Sequence, residues 1–305
     1  MATPTTAPAP SSPSPAPAPP ARRRRTRAYL GAIGVVAVGI ALVVFVVLPG
    51  LTGSGKPPAV LTYSGARPVA DRAVSGFQGG GWTLLFAAGL VSPTNESLPV
   101  NASTLGSFSG CSYTLNSAVH VFTLPGFTGN RSSGQSPAWE FVYRNGTDAL
   151  AIVSVVNGSA TVLATVTGET CSFYAGLVLG VPGSVIDSSR AAAAVESRAA
   201  TFLASYPTAS AAYVLFGGLP PILGGTGTPE WTVVYSTCSV TSSANGTGSV
   251  FNATVNALTG AVLTTHTNAS ASCGGTFAAA GQDPGTPGAH PLALAPDREG
   301  ALARP

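Results

Sequence analysis

Residues 137–143 read Pro-Ala-Trp-Glu-Phe-Val-Tyr, and residues 229–235 read Pro-Glu-Trp-Thr-Val-Val-Tyr. Each stretch is followed by an Asn-Gly turn region. Two further pairs of similar stretches occur in the same order: Leu84–Leu90 with Val214–Leu219, and Ala160–Leu163 with Gly260–Leu263. Similarity that keeps its order along a chain predicts two copies of one structural unit.

The repeat divides the chain into unit 1, residues 66–180, and unit 2, residues 184–278. Unit 1 carries a long insertion at about residues 91–136. Neither unit alone would bury much apolar surface, so we expect the two to pack together. The predicted fold class is α+β: one N-terminal transmembrane helix, then an ectodomain of two repeated helix-on-antiparallel-sheet units.

Each unit is predicted to begin with a helix. In unit 2 the helix runs from Ser188 to Tyr206, because apolar residues recur at helical spacing and Pro207 ends the pattern. In unit 1 the helix is the shorter stretch from Ala70 to Phe77. Segments rich in Val, Thr and aromatic residues, bounded by Gly and Asn, follow each helix and predict strands.

The segment 28–49 contains twenty successive uncharged residues, YLGAIGVVAVGIALVVFVVL. At about 1.5 Å per residue this run matches the roughly 30 Å hydrocarbon thickness of a bilayer and predicts an uncleaved signal anchor. The arginines that precede it set the orientation: Arg22, Arg23, Arg24, Arg25 and Arg27. Positive charge on this side predicts a cytoplasmic N-terminus and an extracellular C-terminal ectodomain at the cell membrane. A cleaved signal peptide is the alternative.

The segments around the anchor and the units are poor in core-forming residues. Residues 1–27 are predicted to be a disordered Pro/Ala-rich cytoplasmic tail ending in the arginine cluster, residues 50–65 a linker, and residues 281–305 a disordered C-terminal tail. Only 8% of the chain is charged, which is unusual for a cytosolic protein. Beyond the arginine cluster acidic residues outnumber basic ones, so we expect no nucleic-acid partner.

Eight of the ten asparagines stand in the N-glycosylation pattern N-x-S/T, whereas the Ser and Thr content would place about two there by chance. All eight follow the predicted anchor: Asn95, Asn101, Asn130, Asn145, Asn157, Asn245, Asn252 and Asn268. We expect several to carry glycans. Asn145, Asn157 and Asn245 are each followed by Gly and are also interpreted as hairpin turns, which is compatible with a glycan.

Four cysteines, all beyond the predicted anchor, allow three disulfide pairings. Their separations are too long for a zinc site, whereas disulfides form readily outside the cell. We favour pairs within each half, Cys111 with Cys171 and Cys238 with Cys273.

Motifs for chemistry are incomplete. Residues 50–56 match the spacing of a phosphate-binding loop, but Pro57 stands where that loop has Ser or Thr. A catalytic triad of a serine with His120 or His266 and Asp148 or Asp187 remains an alternative, although the spacing of these residues in the sequence does not indicate one. We therefore predict no enzyme, no catalytic or metal site and no cofactor.

The two repeated tryptophans allow two interpretations. Trp139 and Trp231 are interpreted as equivalent core residues of the repeats, and the alternative is that they form platforms for sugar rings.

Residues 188–275 resemble the PepSY family of small extracytoplasmic domains. The resemblance rests on an Ala-rich helix, then Trp231 to Tyr235, then Val255 to Leu263, with Asn256 where the family usually has Asp. It implies a non-catalytic helix-on-sheet module of the cell envelope, which in some relatives binds or restrains peptidases. In composition, with one Lys against thirteen Arg and dense sequons, the whole chain resembles a single-pass archaeal cell-surface glycoprotein.

The sequence thus predicts a membrane-anchored cell-surface glycoprotein with a non-catalytic binding or structural role in the envelope. Its expected partners are the lipid bilayer and an envelope protein or glycan ligand. The alternatives are an exported peptidase-restraining module and an exported hydrolase with an unrecognised site.

Overall fold

The computed structural model describes residues 59–77, 80–99, 112–115, 121–146, 149–168, 173, 175–238 and 247–273. The arginine cluster, the apolar segment 28–49, both predicted tails and the linker up to residue 58 lie outside these residues. Neither helix in the described part of the chain combines the length and apolar character needed to cross a membrane.

Two helices and eleven strands make up the described structure. The helices are α1 (Tyr63–Ser75) and α2 (Ser188–Ser205). The strands of unit 1 and its insertion are β1 (Thr83–Val91), β2 (Glu96–Pro99), β3 (Ser112–Leu115), β4 (Val121–Leu124), β5 (Ala138–Arg144), β6 (Leu150–Val156) and β7 (Ser159–Thr167). Those of unit 2 are β8 (Ser210–Phe216), β9 (Glu230–Ser236), β10 (Thr247–Asn256) and β11 (Val262–Ser272).

Nine of these strands form one antiparallel sheet in the order β11-β10-β9-β8-β1-β5-β6-β7-β3, and β2 pairs with β4 in a separate ribbon. The predicted fold class of two separate helix-on-sheet units is therefore wrong, while its transmembrane helix falls on residues outside the described ones. The described chain is mostly one nine-stranded sheet with two helices.

The units join because their first strands pair with each other. β1 and β8 run antiparallel from the pair Phe86 and Phe216 to the pair Val91 and Ala211. Every residue of β1 after Thr83 is buried, so its backbone N–H and C=O groups have no access to water on either edge. Such groups must be hydrogen-bonded, which favours edge-to-edge joining over packing of two separate sheets.

The repeated tryptophans occupy corresponding positions on either side of this junction. Trp139 lies in β5 and Trp231 in β9, the strands that flank β1 and β8. The indole Nε1 of Trp139 donates to the carbonyl of Leu61 at 2.7 Å, and that of Trp231 donates to the carbonyl of Ile186 at 3.0 Å. Both carbonyls lie two residues before a helix, so each tryptophan fixes the start of its unit's helix on the sheet.

The helices differ in how well the sequence predicts them. α2 begins at Ser188 and ends at Ser205, close to the predicted stretch. α1 begins at Tyr63, inside the predicted linker, and ends at Ser75. It contains Pro68 in its second turn, where a proline removes one backbone hydrogen bond of the helix, so this proline does not mark a helix end.

The sheet has a helix face and an opposite face. On the helix face, α1 and α2 cover Trp139, Phe141 and Trp231 among other buried residues. On the opposite face, the unit 1 strands are apolar and buried, and Leu124 of β4 and Ala175 pack against them. The insertion therefore supplies part of a second core layer for unit 1.

Gly89 of β1 permits the close approach of Trp139. A Cβ at this position would lie 2.8–2.9 Å from three atoms of the Trp139 indole, which is inside van der Waals contact. We expect Gly89→Ala to lower the free energy of unfolding by about 1–3 kcal/mol, because the indole must move out of its packed position. Urea unfolding followed by tryptophan fluorescence measures the change.

Gly183→Ala is the matched control, since a Cβ there would meet no atom within 4 Å. Equal stability of the two variants would show that the contact between Gly89 and Trp139 does not restrict this position.

Candidate functional site

The N-termini of the two helices meet near the junction of the units. Ser188 is fully buried, its Oγ accepts from the N–H of Tyr63 at 2.9 Å, and it donates to the carbonyl of Gly134 at 2.7 Å. Asp187 Oδ1 accepts from the N–H of Ser64 at 2.7 Å, and its Oδ2 accepts from Ser189 Oγ at 2.8 Å. The residues just before α2 therefore cap α1 across the unit boundary.

Asp187 is ionised at this junction. Burial raises the pKa of its carboxyl, but hydrogen bonds from the Ser64 backbone and from the Ser189, Thr62 and Ser64 hydroxyls outweigh burial and hold the pKa below its ordinary value. The positive ends of two helix dipoles also favour a negative charge there. Its hydrogen bonds from Thr62 and Ser64 tie α2 to α1, and the one from Ser189 lies within α2.

The aromatic side chains beside this junction are closed to ligands. The ring of Tyr63 lies 5.4 Å from Trp231 and 6.2 Å from Trp139, and the two indoles are 6.4 Å apart in an edge-to-face arrangement. Trp139 and Trp231 are 1% and 0% exposed. Because neither indole presents a face to solvent, the alternative of a sugar-stacking platform does not fit, and both residues belong to the core.

Several charged side chains of unit 1 also act as internal ties. Arg67 pairs with Asp71 at 3.4 Å and donates to the Tyr63 hydroxyl at 2.8 Å, while Asp71 accepts from the Tyr143 hydroxyl at 2.7 Å. Arg131 donates to the Ala209 carbonyl at 2.9 Å, which links the insertion to unit 2. These groups hold the backbone and other side chains of the fold in place.

Glu140 is a buried carboxyl on the opposite face of the described sheet, where Glu230 of β9 is only partly buried. Glu140 is 3% exposed, lies between Ala88 of β1 and Ser154 of β6, and no described residue hydrogen-bonds its Oε1. Burial raises the pKa of Glu140 well above its usual range and so favours the neutral form of the side chain. The carboxyl and the neighbouring Ser154 are both buried, so neither side chain is presented to a dissolved substrate.

The residues nominated for a catalytic triad do not come together in the described part. His266 is exposed on β11 and pairs with Asn252, which places it on the opposite face of the sheet. Asp187 lies at the start of α2 on the helix face, so the sheet separates the two. His120 and Asp148 lie outside the described residues. In the described ranges, no group of three or more His, Cys, Asp or Glu is placed to hold a metal ion.

The predicted glycan acceptors differ in accessibility. Asn95, Asn130 and Asn157 are exposed, and Asn157 lies at the tip of the β6–β7 hairpin with a φ of 51°. Asn145 is 8% exposed, and its Oδ1 accepts from the N–H of Ala149 at 3.0 Å, which closes the loop after β5. Asn145 thus stands in a turn. Because it is buried, it is the least accessible of these four glycosylation sites.

Two further acceptors stand in strands of unit 2. Asn252 in β10 and Asn268 in β11 are partly exposed. Asn268 Oδ1 accepts from the N–H of Ser270 at 2.9 Å, two residues along within its own sequon. Asn101 and Asn245 lie outside the described residues.

Asn252 and Asn268 belong to a larger polar surface on β9, β10 and β11. On these strands the residues that point away from the helices are mostly uncharged and partly or fully exposed, whereas the same face of unit 1 is apolar and buried. We call this surface the open polar face: Thr232, Asn252, Thr254, Thr264, His266 and Asn268. Alternation of polar and apolar residues in β9 and β10 is the sequence signal that identifies it.

A disulfide closes one end of the open polar face. Cys238 after β9 and Cys273 after β11 are bonded across the end of β10, with their Cα atoms 5.4 Å apart, so this predicted pair is confirmed. Closing a loop with a sequence separation of 35 stabilises the fold by about 3–4 kcal/mol in the chain-entropy account. The other predicted pair, Cys111 and Cys171, lies outside the described residues.

Removing the hydroxyl of Ser188 tests the junction of the helices. We expect Ser188→Ala to lower the free energy of unfolding by about 2–3 kcal/mol, because it leaves the Tyr63 N–H and the Gly134 carbonyl buried without their partner. Ser197→Ala, at an exposed position of α2, is the control and should change stability by less than about 0.5 kcal/mol. Similar losses in both variants would contradict the bridging role of Ser188.

The buried carboxyl of Glu140 predicts a pH dependence of stability. The unfolded chain releases this proton near the ordinary pKa of 4.5, whereas the folded chain keeps it to a much higher pH. Folding thus takes up a proton in this window, so stability falls as pH rises, by up to about 1.4 kcal/mol per pH unit. We expect Glu140→Gln to flatten the loss between pH 5 and pH 7, as measured by urea unfolding.

Glu196→Gln supplies the control for this measurement, because Glu196 is exposed on α2. It should keep the pH dependence of the unchanged protein, and a Glu140→Gln variant with that same pH dependence would refute the raised pKa of Glu140.

No protein-family model, curated protein or solved structure matches this chain. The resemblance of residues 188–275 to PepSY domains thus rests on the motif of unit 2 alone, and the function has to be argued from the residues and surfaces described above.

Proposed function

We propose that this protein is a surface glycoprotein of the cell envelope with a non-catalytic binding or structural role, and that the open polar face is the surface it presents. The proposal rests on how the two units differ on the sheet face opposite the helices. In unit 1 that face is largely apolar and packed beneath the insertion, whereas in unit 2 it displays hydroxyl, amide and imidazole groups next to the buried Val234 and Val250. Duplicated strands that keep their fold but exchange an apolar surface for a polar one fit a surface meant for water, glycans or a polar partner.

The chemistry of the open polar face favours uncharged, hydroxyl-rich contacts. Its members include three threonines and two sequon asparagines, and the charged residue beside them in β9 is the partly exposed Glu230. Side chains of this kind exchange hydrogen bonds with sugars and with water, and contribute little to steering of charged ligands. This composition supports a glycan, either attached to the face or bound by it, as its main neighbour.

An extracellular location agrees with two features of the described structure. The disulfide between Cys238 and Cys273 is of the kind that persists in oxidising surroundings. Asn157, Asn252 and Asn268 are accessible in the folded chain, as attached glycans require. Attachment to the cell membrane through residues 28–49, with a cytoplasmic N-terminus, stays a prediction from the sequence.

Site-by-site glycan mass on native protein tests the proposal. We expect glycan on peptides containing Asn157 and Asn268, because both asparagines are accessible, and none on the peptide containing Asn145, which is buried in the folded protein. Asn145 is the internal control, since it shares the Asn-Gly sequence of Asn157. Unmodified Asn157, Asn252 and Asn268 together would remove the glycoprotein assignment.

The non-catalytic part of the proposal needs a separate measurement. The purified full chain, incubated with panels of peptidase and glycosidase substrates, should give no turnover. Turnover that His266→Ala abolishes would overturn the non-catalytic role, because His266 is the described histidine with an exposed side chain on this face. Saturable inhibition of a peptidase would instead support the PepSY-like alternative.

A further inference from the structure

β7 and β11, the last strands of units 1 and 2, differ in whether another strand pairs with their outer edge. In unit 1 the outer edge of β7 is paired with β3, a short strand from the insertion. In unit 2, β11 is the last strand of the sheet, and no strand in the described ranges pairs with its outer edge. An unpaired edge presents a row of N–H and C=O groups that can pair with another chain.

The register shows that the two edges are equivalent. Trp139 pairs with Val155 and Trp231 pairs with Val255, so β6 corresponds to β10. Three residues earlier on these strands, Ile152 pairs with Ala164 and Asn252 pairs with His266. The segment of β7 that β3 covers, residues 164–167, therefore corresponds to residues 266–269 of β11.

The sequence of β11 leaves its edge available. Its eleven residues, Val-Leu-Thr-Thr-His-Thr-Asn-Ala-Ser-Ala-Ser, include no Asp, Glu, Lys, Arg or Pro. Edge strands commonly carry such residues to prevent pairing between molecules, and β11 instead carries β-branched Val and Thr, which favour the extended conformation. Side chains stand perpendicular to a sheet, so a glycan on Asn268 would project from the open polar face and leave the main-chain edge in place.

The molecule already shows how one copy of this unit joins another. Units 1 and 2 associate edge to edge through the antiparallel strands β1 and β8, which make one sheet out of two meanders. An antiparallel pair of identical strands has the two-fold symmetry of most homodimers, since the same edge serves both chains. Thr265 and Thr267 would then face polar and β-branched neighbours across the pair, an arrangement that stabilises antiparallel strands.

We propose that β11 is a dimerisation edge, on which β11 of a second copy of this chain pairs antiparallel and joins two nine-stranded sheets into one. The occupant is a second copy because the pairing of β1 with β8 gives the precedent for it within the fold. The proposal concerns an interface in the plane of the sheet and is independent of whether the open polar face carries glycans.

The test compares lysine variants of the full chain, purified in a mild detergent. Thr265→Lys and Thr267→Lys each place a charge at an exposed position of β11, where the two-fold pair would bring like charges together. Ala200→Lys adds the same charge at an exposed position of α2 and is the matched control. Sedimentation velocity over a range of protein concentrations measures the dimer dissociation constant of each protein.

We expect the unchanged chain and Ala200→Lys to form dimers with similar dissociation constants, and the two β11 variants to weaken dimerisation at least tenfold. Hydrogen exchange adds a second measurement: amides of residues 262–272 should exchange more slowly in concentrated than in dilute protein, while those of α2 should not change.

Three results would each overturn the proposal. A chain that stays monomeric at every concentration has no such interface. A dimer that the β11 lysines leave intact uses another surface, such as the apolar segment 28–49. Exchange that is slow at every concentration for those amides of residues 262–272 that point away from β10 would show that a segment of the same chain already occupies the edge.

Discussion

The antiparallel pairing of β1 with β8 is the constraint on which the rest of the structure depends. It makes one sheet of the two meanders, places the tryptophans of β5 and β9 in contact across the junction, and brings the N-termini of both helices together. Ser188 and Asp187 then cap a helix of the other unit as well as preceding their own. Without this pairing, the buried backbone of β1 would lack hydrogen-bond partners along one edge, and each helix would lose contacts at its start.

The structure shows what several of the few charged side chains do. Many of the charged side chains described are directed at other parts of the same fold: Asp187 at α1, Asp71 at Tyr143, and Arg131 at unit 2. The strands of unit 2 therefore contact water largely through hydroxyl and amide groups, while α2 exposes the charged Arg190, Glu196 and Arg198.

Local patterns in the sequence predict part of this structure and leave its long-range pairing open. The extent of α2 and the bond between Cys238 and Cys273 follow from apolar spacing, a terminating proline and the presence of both cysteines in unit 2. The single sheet does not follow, because strands buried on both faces read alike whether another strand or another layer covers them. Burial of Asn145 is equally hidden, since Asn-Gly predicts a turn without stating how deeply that turn lies. Of the candidate surface, the sequence supplies Asn252 and Asn268 as sequons, and the register is needed to show that they share a face with Thr232 and His266.

The central pairing also determines how the chain can fold. In unit 2, strands β8 to β11 follow one another as a meander, so each pair closes over a short connection. β1, in contrast, pairs with β5 across the insertion and with β8 across the whole of unit 1. The second pairing joins residue 86 to residue 216. Closing such long loops is entropically expensive and slows folding. Unit 2 is therefore suited to form first and to serve as the template on which β1 completes the sheet, which makes the last-synthesised half of the fold the first to become ordered.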